Sequence, residues 1–562
     1  MSKKSKRNKP NKQSVKSNGT STSSSTLYHK LNRFIDSKSI LFLIVIVGIS
    51  LLVSLLLFEV KVSLGGDDSA YINRAYNFIH NGVFPTFQGA LYPIVLSIPV
   101  GIFGLKVILL KMLSLLFMLI HVVLFYKTLK IVTSPILRVF TMILVALNAY
   151  IAFYASSTYS EAFFLMMQGI FFLYFAKNFI QHPAEEPSVK KFLLLGLILF
   201  LMSQTRFASL AVLGAVMVYF GIQMQWKKVL YSVASFIIFY LPFTILLKVL
   251  KISKGMSSQM ETLLMVHPYD ASKGKETIGG FLMRVVENTN QYIGKAFMVE
   301  SGFLPATGAT EDASLTIFIL VVLVLGFIVA LKKQHKGIIF AYLYLGAYAI
   351  FTFLAVQKIW NQSRLVVVIY PLLWLLILYP IYQLFTLKKM QSFQFAFLLF
   401  GFLFILPSVS RTNVKIKDHS EVLQRNLAGD KLYGLTPDWI NYISMAQWAK
   451  KNLPKESYVA CRKPTIAFIY TEGKNHFGIY KANEKDADVL LQKWKDEGVT
   501  HIIRASLRRN PNVNTGHHIN TIHRVLSVVE TKYPGTFKFV KKVGEQEEAY
   551  LFEINYYGIE SK

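Results

Sequence analysis

Cysteine is almost absent. Cys461 is the one thiol in 562 residues, so neither an internal disulfide nor a cysteine metal cluster can form. Charge is scarce as well: Lys, Arg, Asp and Glu make up 16% of the chain, where soluble domains usually carry roughly 25%. Acid is the scarcer sign, with 31 Asp+Glu against 61 Lys+Arg and a formal net charge of +30. Apolar residues take the place of the missing charge. They reach 53% of the chain, with 44 Phe and 29 Tyr among the aromatics, and the mean hydropathy is +0.41. A soluble protein of this size cannot hide that much apolar surface. An ordinary soluble enzyme, a disordered protein and a disulfide scaffold are all excluded.

The position of the charge decides what the excess means. Residues 1–38 hold ten Lys or Arg and a single acid, Asp36, together with the run SNGTSTSSST. That composition predicts a disordered, basic tail. Residues 39–58, SILFLIVIVGISLLVSLLLF, carry no charge, and about 20 such residues cross a bilayer core of roughly 30 Å. The run is too long for a signal-peptide core and no small-residue cleavage site follows it, so it reads as an uncleaved first span. Further apolar stretches lie at 106–128, 136–155, 161–180, 191–206, 207–223, 228–248, 314–331, 337–356, 364–386 and 393–409. Together with the first they predict about eleven transmembrane helices, the fifth and sixth being short enough for half-spans.

Alternation of Lys and Arg between loops orients a membrane protein. With the tail in the cytoplasm, the inside loops hold Lys127, Lys130 and Arg138, then Lys190 and Lys191, Lys227 and Lys228, Lys332, Lys333 and Lys336, and Lys388 and Lys389. The opposite loops are nearly free of base, apart from Lys61, Arg206, Lys358 and Arg364. The chain therefore divides into a cytoplasmic tail (1–38), a membrane domain (39–409) and a third part (410–562). Two long outer loops, 59–105 and 249–313, interrupt the membrane domain. The third part has soluble composition and reads as a mixed α/β domain. SYVACR and VTHIIRAS are strand-like, ADVLLQKWKDEG and HRVLSVVETKY are helical, and FKFVKKV with AYLFEIN alternates like a hairpin. An odd number of spans puts this domain outside with the two loops.

In a chain with so few charges, those at one membrane face invite comparison, because ionisable groups near the bilayer are costly and tend to line sites. Asp67 and Asp68 follow the first span, and Lys111, Glu161, Arg206 and Arg364 all fall near the outer end of a span. Each alone has a plain structural role. An acid at a helix start caps it, and an Arg at an interface snorkels. Convergence of carboxylates and cations at one depth suits an anionic lipid substrate and a proton acceptor.

These residues, in this order, resemble the GT-C class of polyprenol-phosphate-dependent glycosyltransferases. The likeness is to the branch of protein O-mannosyltransferases and lipid A aminoarabinose transferases, glycosyltransferase family 39-like. That family opens with a span, an acidic pair, a Tyr four residues after the first acid, an Ala and a closing Gly, matched by Asp67, Asp68, Tyr71, Ala75 and Gly82. A Pro-containing segment ending in Phe-Gly follows, then a basic residue in the next span, matched by Lys111. Ser160-Glu161, Gln204-Thr205-Arg206 and Arg364 with Pro371 match later features. The chain departs in having Asp-Asp where Asp-Glu is common, and Leu365 where Tyr is usual.

The resemblance implies a plasma-membrane (inner-membrane) enzyme, an endoplasmic-reticulum location being the alternative. It implies transfer of a sugar from a polyprenyl-phosphate donor to a hydroxyl-type acceptor on the outer face, with inversion. The acceptor is a lipid, glycan or protein. Asp67 would be the general base, with Asp68 beside it. Arg364, Arg206 and Lys111 would hold the donor phosphate, with Glu161 and Tyr71 as further site residues. No cofactor is fixed; a divalent ion held by Asp67 and Asp68 is one option the family leaves open. Membrane lipids are the other expected partner, and nucleic acid is not expected. The rival reading is a multi-span transporter or lipid flippase, but the halves of the chain show no internal repeat of the kind such folds use.

Overall fold

Apolar runs in lipid must satisfy their backbone hydrogen bonds internally, and the helix is the local way to do it. In the computed structural model, which describes residues 27–181, 187–252, 261–268, 273–508 and 518–557, all eleven apolar stretches are helical. Eight are long and apolar enough to cross a membrane. A ninth crossing is a bent pair, Pro135–Leu147 with Ala149–Ser156, which turns by 54°. Asn148 makes the break: its side chain accepts from Tyr150 N and Ile151 N at 3.0 and 2.9 Å, capping the second piece, and donates to Glu300 O. The remaining two, Val189–Ser203 and Leu210–Gly221, have 15 and 12 residues. At 1.5 Å per residue they reach about 18–23 Å, less than the bilayer core. The Gln204-Thr205-Arg206 turn joins them.

Two expected boundaries move. The tail does not run featureless to residue 38, because Leu27–Ser37 is a helix. Tyr28 and Ile35, seven residues apart on one face, are buried. Tyr28 stacks on Tyr382 and its N–H donates to Gln394 Oε1, while Asp36 pairs with Arg138 at 2.9 Å. The basic composition masked this apolar stripe. Residues 1–26 lie outside the described residues. At the other end, the last span does not stop near 409. Gln394–Leu427 is one helix of 34 residues, about 51 Å long, so residue 410 falls inside a rod that continues toward the next domain.

That domain is the expected α/β unit. Strands β1 (Tyr458–Cys461), β2 (His476–Gly478), β3 (Val499–Arg504), β6 (Phe537–Val543) and β7 (Ala549–Ile554) form a sheet ordered β2-β1-β3-β7-β6. β1 is parallel to β2 and β3, and β7 is antiparallel to β3 and β6. β4 (Leu507–Arg508) and β5 (His518–Ile519) pair separately. Strand alternation splits the core in two. Ala460 and Ile502 face Trp494, Val525 and Val529 of the helices Ala487–Asp496 and Thr521–Lys532. Val459, Cys461 and Ile503 face the other way, into the core shared with Trp439, Ile466 and the membrane helices. This domain is therefore packed onto the membrane part, chiefly through the short helix Pro464–Tyr470 against the helix Asp67–Asn81.

Candidate active site

The loop that follows the helix Ser39–Leu56 builds the site from a tight turn. Gly66 has φ +89°, a left-handed conformation that side chains disfavour, and it delivers Asp67 as the first residue of the helix Asp67–Asn81. The two acids then separate. Asp67 keeps 37% of its side-chain surface exposed and forms an ion pair with Arg364. Asp68 is 1% exposed and its carboxylate is fully engaged, accepting from Ser63 N at 2.7 Å, Ser63 Oγ at 3.1 Å and Ser69 N at 2.7 Å. Burial pushes the Asp68 carboxyl above the usual carboxylate range, against the pull of Lys111 and these hydrogen bonds. Asp68 ties the turn together.

Lys111 is not brought into the open site either. Its ammonium donates to Glu59 O at 2.7 Å and to Lys61 O, holding the start of the same loop. A buried ammonium needs acceptors, and these two carbonyls supply them. The positions at which the family's acidic pair and basic residue fall thus contribute one exposed acid and two internal braces.

The other predicted residues do converge. A cavity of about 1440 Å³ is lined by Asp67, Tyr71, Glu161, Arg206 and Arg364. Arg206 Nη1 pairs with Glu161 Oε1 at 3.1 Å, with Arg206 12% and Glu161 3% exposed. Arg364 donates to Gln362 Oε1 at 2.9 Å and lies over the Tyr159 ring, 5.0 Å from its centroid. Tyr71 donates to Ser160 Oγ at 3.3 Å, next to Glu161. The turn before the helix Leu91–Phe103 is set by Gly89, at φ +91°, where a Cβ would sit 2.5 Å from Gln204 O. There the first outer loop rests directly on the turn that carries Arg206, and Leu91 N donates to Gln204 O at 3.0 Å.

The cavity has two chemical sides. Tyr240, Phe243 and Leu247 of the span Trp226–Val249, with Phe207 and Phe351, make one wall apolar. The C-terminal domain makes the other with Arg462, Lys463, Lys481 and Arg524, and no acid from that domain lines it among the described residues. Sequence reasoning missed these four. The Arg462-Lys463-Pro464 triplet closing a strand was the available signal, a strand end being a usual place for a site. Lys463 is the most committed. It donates to Leu64 O at 3.0 Å and Gly65 O at 2.9 Å, and burial pulls its ammonium down to about 8.

A metal site at the acidic pair does not fit this geometry. Asp67 is paired with an arginine and Asp68 is saturated by donors from its own loop. Among the described residues no group of three His, Cys, Asp or Glu is placed to hold an ion.

No family model and no curated protein matches the chain in sequence. Solved structures match it over most of its length. ArnT from Cupriavidus metallidurans in the apo state superposes with a TM-score of 0.54 at 11% identity, covering 92% of this chain and 98% of that one. The same protein bound to undecaprenyl phosphate gives 0.54 at 12% identity, over 91% and 97%. The oligosaccharyltransferase of Archaeoglobus fulgidus, in complex with zinc and sulfate, gives 0.51 at 12% identity, over 88% of this chain and 72% of that one. The chain has the GT-C fold: a polytopic helical membrane domain followed by a C-terminal domain built on a sheet.

Proposed function

We propose that this chain is a membrane glycosyltransferase that moves a sugar from a polyprenyl-phosphate donor to a hydroxyl-type acceptor on the outer face of the membrane. One observation carries the reading: a single cavity in which an apolar wall of membrane helices meets a polar wall, with Asp67 and Arg364 among its lining residues. A lipid-linked sugar phosphate has the same division, a greasy chain, an anion and a polar head. At about 1440 Å³ the space exceeds the roughly 300–1,000 Å³ of ordinary ligand pockets, which suits two substrates at once. The solved ArnT complex with undecaprenyl phosphate supports the choice of a lipid phosphate.

In this mechanism Asp67 is the proton acceptor, and Arg364 pairs with it until the donor arrives. The donor phosphate competes for the guanidinium, whose fork is suited to phosphate. Arg364 turning toward the phosphate frees the Asp67 carboxylate to face the acceptor. The acceptor oxygen attacks the anomeric carbon as its proton passes to Asp67, and the bond from carbon to phosphate oxygen breaks with its electron pair leaving on the phosphate. Configuration inverts. Charge grows on the departing oxygens, where Arg364, backed by Arg206, stabilises it in a water-poor site.

Membranes carrying the protein, incubated with labelled polyprenyl-phosphate hexoses and pentoses, test the reading. Label is expected on a product that no longer holds the polyprenyl chain, with free polyprenyl phosphate released in step. Label that crosses the bilayer still attached to its lipid, with no transfer from any donor, overturns the reading in favour of a flippase.

A further inference from the structure

The acid proposed as base sits on a loop that the C-terminal domain grips. Lys463, two residues past β1 and just before the helix Pro464–Tyr470, reaches across the interface to the carbonyl oxygens of Leu64 and Gly65, the two residues before Gly66. Two residues on, Thr465 Oγ1 donates to Ser69 Oγ at 2.9 Å and lies 3.5 Å from Gly66 O. Ser69 Oγ also donates to Gly66 O at 2.8 Å. Behind them Ile466 is fully buried, and the ring of Phe468 meets that of Tyr76 edge-on at 5.2 Å. A Cβ placed on Gly66 would touch the Lys463 ammonium and Ile466. The turn is thus held from inside by Asp68 and from outside by Lys463 and Thr465, and the residue it delivers is Asp67.

We propose that Lys463 is a positioning residue for Asp67, so that the C-terminal domain is a working part of the transfer site and not a platform attached to it. The inference rests on Asp67 being the base. The carbonyls at 64 and 65 lie in a loop between two domains, and an ammonium with three donors satisfies both at once. An error of about 1 Å in the placement of a reacting group costs roughly 10²-fold in rate, which makes the grip on the turn matter to chemistry. The charged groups facing Lys463 are Arg462 on its own strand end, and Asp67 and Asp68 across the interface. Loss of its proton turns charge-assisted bonds into neutral ones of about half the strength, and burial brings that loss near pH 8.

The test compares the full-length wild type with Lys463→Met, Lys463→Arg and Thr465→Val, reading kcat, KM for the polyprenyl-phosphate sugar, the pH profile and thermal unfolding in detergent. Expected are a kcat lowered by about 10–10²-fold in Lys463→Met with an unchanged donor KM, and partial recovery in Lys463→Arg, whose fork reaches two adjacent carbonyls. A several-fold fall is expected in Thr465→Val. The wild-type kcat falls above about pH 8, and Lys463→Met lacks that limb. An unchanged kcat in Lys463→Met overturns the proposal, and a raised donor KM at constant kcat replaces it with direct substrate binding. If Lys463→Met does not fold, Thr465→Val with wild-type kcat overturns it equally. Transfer retained by Asp67→Asn overturns the assignment of the base and this proposal with it, whereas wild-type kcat in Lys463→Met beside a slow Asp67→Asn overturns this proposal alone.

Discussion

Asp67 and Asp68 test, as neighbours, how far a role can be read from residue type. Asp68→Ala strips acceptors from two backbone N–H groups and one hydroxyl in a buried turn, and each orphaned buried donor costs about 1–3 kcal/mol. The variant should therefore unfold at a lower temperature, whereas Asp67→Asn, altering a carboxylate that is 37% exposed, should melt close to wild type. Differential unfolding in detergent measures the contrast. The sequence singled out this pair, with Arg206, Glu161 and Arg364, because charges are rare on that membrane face, and those five lie within one small region of the fold. It did not reveal which acid stays exposed. That depends on Ser63, five residues back, turning its N–H and hydroxyl toward Asp68. The partners of Lys111 were not legible for a similar reason, since they are backbone carbonyls, to which residue identity gives no clue.

At the scale of elements, hydrophobic runs located the eight described helices long enough to cross a membrane, because twenty apolar residues in a row admit few other structures. Breaks and lengths were less legible. The 54° bend hangs on the side-chain cap of Asn148, one polar residue in an apolar stretch. The helix Pro464–Tyr470 went unnoticed because PTIAFIY is too short to show a period, yet it is the element that docks the outer domain on the Asp67 helix. The contact between the first outer loop and the Arg206 turn supplies a prediction of its own. Gly89→Ala pays on the order of 1–2 kcal/mol for a left-handed backbone and forces a methyl group against Gln204 O and Thr205 O. Lower thermal stability and a several-fold weaker sugar transfer are expected together, because the displaced turn carries Arg206 into the cavity wall.

For the whole molecule, the net charge of +30 divides into orienting charge and site charge. Arg138 pairs with Asp36, whereas the cavity lining holds four cations of the C-terminal domain, Arg462, Lys463, Lys481 and Arg524. Alternation across spans predicts that a reporter fused after residue 557 is active outside the cytoplasm and one at the N-terminus is active inside. A cytoplasmic C-terminal reporter contradicts the arrangement in which loops, cavity and outer domain share a face. Under the proposed function, such a shared face would give a lipid-borne donor and Asp67 a common depth.

The central claim is that Asp67 takes the acceptor's proton. The rate of sugar transfer by Asp67→Asn from a labelled polyprenyl-phosphate donor, in vesicles where the variant still binds polyprenyl phosphate, tests it most directly. General-base help is worth about 10²–10⁴ in rate, so transfer should fall by that factor with lipid-phosphate binding kept. Transfer at the wild-type rate contradicts the account.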